Sequence, residues 1–176
     1  MTHPILNIAD LAEWREVGHK GAAIGATRPD QSYEARIGGI SGKIGARKLG
    51  YNLTILPPCK RAFPRHNHRV NEEMFFILEG EGEVRIGDQR YQVKRGDVIA
   101  CPPGGPDTAH QIRNLSATAE LRFLAVSTRE SPELAEYPDS GKIGVYAEFT
   151  HPAGGPSAGM RFLTRAGESV DYWEGE

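Results

Sequence analysis

Residues 66–82 read HNHRVNEEMFFILEGEG, and the way their side chains are distributed decides the fold. Two histidines stand one residue apart, two carboxylates follow, and an apolar run ends at glycines. On a helix, residues two apart point in widely different directions, so His66 and His68 could not share a ligand. On a strand they point to the same face. Pro64 argues against a helix as well. Glu73 lies five residues past His68, which on one continuous strand would place it on the opposite face. It joins the histidines only if the chain turns between them, and Arg69-Val70-Asn71 is suitable turn material. Glu73 then opens a new strand, with Phe75 and Ile77 on its face and Phe76 and Leu78 on the other. Both faces are apolar, so burial on both sides is expected, and Gly80 and Gly82 end the strand.

The same alternation extends outward. KLGYNLTIL, from Lys48, reads as a strand stopped by Pro57 and Pro58. EVRIGDQRYQV reads as a hairpin turning at Gly87-Asp88, and Gly96-Asp97 turns the chain into VIAC. HQIRN and LRFLAV make two further strands. With 21 glycines and 12 prolines in 176 residues, the pattern predicts an all-β antiparallel barrel or sandwich. A doubly wound α/β fold would need intervening helices, which are missing. Upstream, NIADLAEW (7–14) predicts a short helix capped by Asn7, and residues 18–46 are glycine-rich with weak strand signals at Tyr33–Ile37. Downstream of Ser131, SPELAEYPDSGK reads as proline-broken, HPAGGPSAGM as a loop, and MRFLTRAGESVDYWEGE as a final hairpin around Ala166-Gly167. The expected organisation is a single domain over 1–176: an N-terminal arm 1–30, a barrel core of about 31–128, and a C-terminal extension 131–176 that is an arm, a lid or a partner-binding element.

Composition narrows the function classes. The chain has 39% hydrophobic and 25% charged residues and a formal net charge of −2, with basic residues scattered, so no nucleic-acid partner is expected. The longest apolar run, Met74 to Leu78, is too short to cross a bilayer, so no membrane partner is expected. The N-terminal residues show no secretory pattern, which makes Cys59 and Cys101 reduced thiols and the cytoplasm the expected location.

A fourth candidate beside His66, His68 and Glu73 is His110, in PPGGPDTAHQIRN, where a proline–glycine loop could return it to the barrel mouth. Three imidazoles and a carboxylate form a nitrogen-rich, thiol-free set suited to one divalent ion per chain: iron(II), manganese, nickel or zinc. Spacing alone leaves the rival open, that histidine pairs decorate a solvated strand edge and Glu72-Glu73 is a charged turn. His3, His19 and His151 are expected to be plain surface residues.

The sequence resembles the cupin superfamily. Its first motif is glycine, five residues, His-x-His, three or four residues, Glu, six residues, Gly. Here His66-Asn67-His68 is followed by four residues to Glu73 and six more to Gly80, which selects Glu73 over Glu72. The second motif is glycine, five residues, Pro-x-Gly, two residues, His, three residues, Asn. Gly96, Pro102-Pro103-Gly104, His110 and Asn114 follow it. Two departures stand out: Lys60 occupies the first glycine's place, and five residues rather than two separate Gly104 from His110. Several stretches, EYPDSGK and DYWEGE among them, resemble a group of bacterial single-cupin proteins, some of them labelled sugar-phosphate isomerases.

The resemblance implies a jelly-roll barrel (a double-stranded β-helix) with the metal inside and commonly a homodimer. It leads us to expect a metal-dependent enzyme, an isomerase or dioxygenase, acting on a small polar or anionic substrate. Arg61, Arg65 and Arg69 flank the ligands and could attract a phosphate or carboxylate, and Glu72 or Tyr51 could serve as acid–base group. The alternatives are a non-catalytic module that binds or senses a small molecule, and a structural dimer with a vestigial metal.

Overall fold

Alternation in the sequence becomes strand at every central position. The computed structural model describes residues 3–21, 29–149, 158–165 and 167–176. Its strands include β1 (Arg15–Gly18), β2 (Glu34–Gly39), β3 (Leu49–Leu56), β4 (Asn67–His68), β5 (Glu73–Glu79), β6 (Glu81–Ile86) and β7 (Gln89–Lys94). They continue through β8 (Val98–Cys101), β9 (His110–Arg113), β10 (Leu121–Thr128), β11 (Glu133–Tyr137), β12 (Lys142–Phe149) and β13 (Ala158–Arg165). A six-stranded sheet runs β1-β2-β3-β10-β5-β8, and a three-stranded sheet runs β7-β6-β9. Between them lies the core: Leu56, Phe75, Ile77, Leu121 and Phe123 from the large sheet meet Val84, Val93 and Ile112 from the small one. The fold is all-β, of the jelly-roll type. Among the described residues no helix is long and apolar enough to cross a membrane.

Residues that the motifs required, but that carry no ligand atom, shape the backbone. Gly80 has φ +83°, and a Cβ there would run into the Glu120 carbonyl, so the step from β5 into β6 needs glycine. The Asn114 side chain is fully buried and ties three segments together. Its amide nitrogen donates to the carbonyls of Leu56, Pro57 and Ala119 at 3.0, 3.1 and 2.8 Å, and its oxygen accepts from Ser116 N at 2.9 Å. Asn114→Ala leaves these groups without their partner and is expected to cost about 2–4 kcal/mol. The measurement is a shift of the urea midpoint at unchanged slope, and an unshifted midpoint would show that the loops do not depend on this brace.

The N-terminal arm differs from expectation in extent. Asn7 does cap a helix, accepting from Ala9 N at 2.9 Å, but the helix is a single 3-10 turn, Ile8–Asp10. Leu11 leaves it in an extended conformation and packs with Ile40 and Leu53 against the outer face of the large sheet, where Trp14, Tyr51, Leu78 and Leu124 surround them. Tertiary burial of Leu11 overrides the local helical pattern. The arm also contributes β1 to the sheet edge, so the sheet begins before residue 31.

The C-terminal extension is the larger correction. SPELAEYPDSGK is not merely broken by proline: Pro132 and Pro138 bound β11 on either side, where no ladder donor is needed. A four-stranded sheet, β13-β12-β11-β4, joins this extension to the strand that carries His68. The final hairpin expected around Ala166-Gly167 falls partly outside the described residues: β13 returns along β12, and no strand follows among the described residues from Gly167 on. His151 and Ala166 lie outside the described residues.

Candidate metal centre

β4 and the bend after it solve the parity problem posed by Glu73. His68 ends β4, the chain bends at Arg69 and Val70, and Glu73 opens β5. His110, the first residue of β9, is placed by reciprocal backbone bonds with His66: His66 N to His110 O at 3.2 Å and His110 N to His66 O at 2.8 Å. The loop before it, three residues longer than the motif, is fastened to β4. Gly104 N donates to His68 O at 2.8 Å, and Asn67 Nδ2 donates to Gly104 O at 2.8 Å. The extra residues are absorbed in a turn closed by Thr108 N to Gly105 O at 3.0 Å.

His66, His68 and Glu73 come together as one group, and His110 joins it through Glu73. The Nε2 atoms of His66, His68 and His110 lie 3.9, 3.4 and 2.9 Å from a single oxygen, Glu73 Oε2. His66, His68 and Glu73 each offer a ligand atom within 4.8 Å of the others. His66 Nδ1 lies 2.9 Å from Pro64 O and His110 Nδ1 3.4 Å from Thr108 O; with the ring protons assigned to Nδ1, each Nε2 turns a lone pair toward the carboxylate, which His110 Nε2 approaches to 2.9 Å. Lone pairs and a carboxylate oxygen converging on one point require a cation or a proton between them. Both ring nitrogens of His68 are buried without a hydrogen-bond partner, which a coordinated ion would satisfy at Nε2. The donor set therefore fits a divalent metal ion.

Charge is arranged to the same end. Burial, and then the neighbouring His110, push His66 down to about 4, so its imidazole is neutral at physiological pH. Burial opposes charge on Glu73 too, but His110 and His68 outweigh it and hold the carboxyl well below the usual carboxylate range. On His68, burial is outweighed by Glu73 and Glu133, which raise it above 6.5. Burial, with Glu73 nearby, pushes the Cys101 thiol up to about 12, so it stays protonated and outside the donor set. Where His68 is protonated in the free protein, a metal ion must displace that proton. Affinity is therefore expected to fall as pH drops, by roughly tenfold per unit once His68 is protonated in the free protein. Competition with a chromophoric chelator between about pH 8 and pH 5.5 measures this; a flat profile would show that no ligand proton is displaced.

The flanking arginines do not serve as expected. Arg65 is buried and pairs with Asp139 at 3.0 Å, Arg69 pairs with Glu136 at 2.8 Å, and Arg61 bonds Ser32 and lies over the Tyr33 ring. Nor do the acid–base candidates hold: Tyr51 packs on the outer face of the large sheet, and Glu72 is exposed on the side of the chain away from Glu73. The residues that do face the cluster, Glu133 and Tyr137, come from β11. Glu133 Oε2 stands 3.7 Å from His68 Nδ1, and the Tyr137 ring stacks on His66 at 5.9 Å. In the sequence, the only sign of them is the period-2 spacing of Glu133, Ala135 and Tyr137 between two prolines.

The fold and this cluster define an all-β protein of the jelly-roll type with a candidate metal centre. The family model for the Cupin domain matches residues 52–127, which contain all four candidate ligands. Among solved structures, a sugar phosphate isomerase from a cupin superfamily, from Silicibacter pomeroyi, is similar with TM-score 0.71 and 24% identity over 97% of this chain and 98% of that one. A predicted oxalate decarboxylase of Thermotoga maritima gives TM-score 0.53 and 18% identity over 72% and 99% of the two chains. The polyketide cyclase RemF of Streptomyces resistomycificus gives 0.53 and 21% over 73% and 82%. At these identities the likeness is one of fold. An uncharacterized protein of Methanocaldococcus jannaschii is 35% identical over 75 residues, which is 40% of this chain and 57% of that protein. Rice cupincin is 34% identical over 65 residues, 35% of this chain and 14% of that protein. The match thus spans little more than half of the first relative and a small part of the second.

Proposed function

We propose that the protein is a metal-dependent enzyme of the isomerase type, moving a hydrogen between adjacent carbons of a small phosphorylated sugar. The observation that carries this reading is that three imidazole Nε2 atoms converge on one carboxylate oxygen. The side chains of His66, His68 and Glu73 keep 17%, 20% and 19% exposure, while His110 and both ring nitrogens of His68 are buried. His66, His68, Glu73 and His110 would hold one divalent ion, which supplies a Lewis acid for a substrate carbonyl or hydroxyl oxygen. Tyr137 and Glu133 flank the cluster on the β11 side. The full-length fold likeness to the Silicibacter pomeroyi protein, which includes the C-terminal extension, supports the choice of isomerase among cupin activities.

The test is proton exchange. Metal-loaded protein is incubated in deuterated water with a panel of aldose and ketose phosphates, and nuclear magnetic resonance follows deuterium entering beside the carbonyl. Exchange that Glu73→Ala abolishes is expected. Oxygen uptake without exchange would replace the isomerase reading with a dioxygenase one, and binding without either would make the protein a sensing module. We propose a homodimer as the assembly. The Leu78 face that suggested it is covered by the chain's own arm, but Phe149, Met160 and Phe162 on β12 and β13 are about half exposed. Light scattering giving a mass near 19.3 kDa would overturn the dimer.

A further inference from the structure

The four-stranded sheet carries a second set of groups outward from the candidate ligands. Partners across antiparallel strands point to the same side of a sheet. His68 is paired with Ala135, Ala135 with Gly144, and Gly144 with Leu163. Flanking this row on the same face lie Tyr137 and Lys142 on one side, and Tyr146 and Arg161 on the other. The small Ala135 and Gly144 keep the floor low. The two phenols lean over it and meet, with Tyr137 Oη and Tyr146 Oη 3.0 Å apart. A Cβ on Gly144 would lie 2.9 Å from the Tyr146 ring and hydroxyl, so this lean requires glycine.

Two cations sit on the phenols. Lys142 Nζ is 5.5 Å from the centre of the Tyr137 ring, and the Arg161 guanidinium carbon is 5.2 Å from the centre of the Tyr146 ring. Arg65 and Arg69 are neutralised by Asp139 and Glu136, but Lys142 and Arg161 have no carboxylate partner among the described residues. The line His66, Tyr137, Tyr146, Arg161 is therefore continuous in ring contacts and hydrogen bonding, and positive at its outer end.

We propose that Lys142 and Arg161, with the hydroxyls of Tyr137 and Tyr146, form an anion subsite that holds a phosphate monoester at the far end of the substrate. Two cations and two hydroxyl donors match a dianionic phosphate better than a single carboxylate. β12 stands two strand spacings, about 10 Å, from β4, so the subsite takes the remote end of an extended small molecule while its other oxygens reach the ligand cluster. This rests on the proposed isomerase reading only for what the near end does, and it moves the anion-binding role from Arg61, Arg65 and Arg69 to the C-terminal extension.

Calorimetric titration with glycerol phosphate, with glycerol and glycerate as comparison probes, tests it on metal-loaded and chelated protein. Wild-type protein is expected to bind the phosphate and not glycerol. Lys142→Gln/Arg161→Gln should weaken binding at least tenfold, Tyr146→Phe several-fold, and Arg161→Lys should restore most of what Arg161→Gln loses. Arg90→Gln, on the far hairpin, should bind as wild type does, and thermal melts of each variant verify folding. Equal affinity in the double variant, no phosphate binding by wild type, or tighter binding of glycerate than of phosphate would each overturn the subsite. Elemental analysis of the same samples keeps the two readings apart. Metal at one ion per chain without phosphate binding defeats the subsite alone, and phosphate binding that depends on Arg161 in metal-free protein survives failure of the metal reading.

Discussion

Glu73→Ala is expected to empty the protein of metal, while Glu72→Ala leaves it loaded. The two carboxylates are neighbours in sequence and opposite in role. Glu72 is exposed, and its own N–H is taken by Thr128 Oγ1 at 3.0 Å, whereas Glu73 Oε2 is the point on which three imidazoles converge. Losing a direct ligand should weaken binding more than losing an outer-shell partner, hence by more than about 100-fold. Elemental analysis of protein purified without added metal reads this directly, and it also identifies the ion. The same ion stabilises the fold by mass action. At free metal about 1,000-fold above Kd the gain is about 4 kcal/mol, so a chelator should lower Tm by roughly 8–16 °C for a chain of this size. Melting should stay cooperative, because the core around Leu56, Ile77 and Leu121 is built from strands that bury each other without the ion. Metal loss from Glu72→Ala with none from Glu73→Ala would overturn the choice of carboxylate.

Legibility followed the range of the interactions. Strand periodicity is local, so β3, β5, the β6–β7 hairpin and β8 to β10 could be read from alternation and turn residues, and the His66–His68 pair with them. Glu73 was readable because parity demanded a bend and the residues between were bend material. His110 was harder. Its position is set by the Gly104–His68 and His66–His110 backbone bonds, and the proline–glycine loop before it and the kept spacing to Asn114 were the signs of it in the sequence. β11 was missed because its polar residues are buried for reasons that lie far away in sequence. Glu133 is 7% exposed against the amides of residues 69–71, and Glu136 receives Asn67 and Arg69. Pro132 and Pro138 read as breaks when they were boundaries. The arginines were misread for the same reason: nothing near Arg65 in sequence announces Asp139 as its partner.

Glu133→Ala should have the largest effect of any substitution outside the candidate ligands. Its carboxylate does for the 69–71 bend what a helix cap does for a first turn. Oε1 accepts from Arg69 N at 3.1 Å, Val70 N at 3.4 Å and Leu134 N at 2.9 Å. Oε2 accepts from Asn71 N at 2.8 Å and from the Asn71 side chain. That bend is what brings Glu73 back to the histidines, and Oε2 also faces His68 Nδ1. Truncation strands several N–H groups in a buried site, at an expected cost of about 3–5 kcal/mol, or a drop in Tm of roughly 6–20 °C. Metal affinity should fall about 10- to 100-fold, as when an outer carboxylate behind a ligating imidazole is lost. Glu133→Gln separates the two roles. It keeps one carbonyl acceptor for the bend and removes the charge facing His68, so it should lose most of the metal affinity with less than half of the stability loss. Urea melts of the apo forms and chelator competition on both variants measure this. If Glu133→Ala melts like wild type, the bend is held by something other than this carboxylate. If Glu133→Gln binds metal like wild type, the charge on β11 does not tune His68.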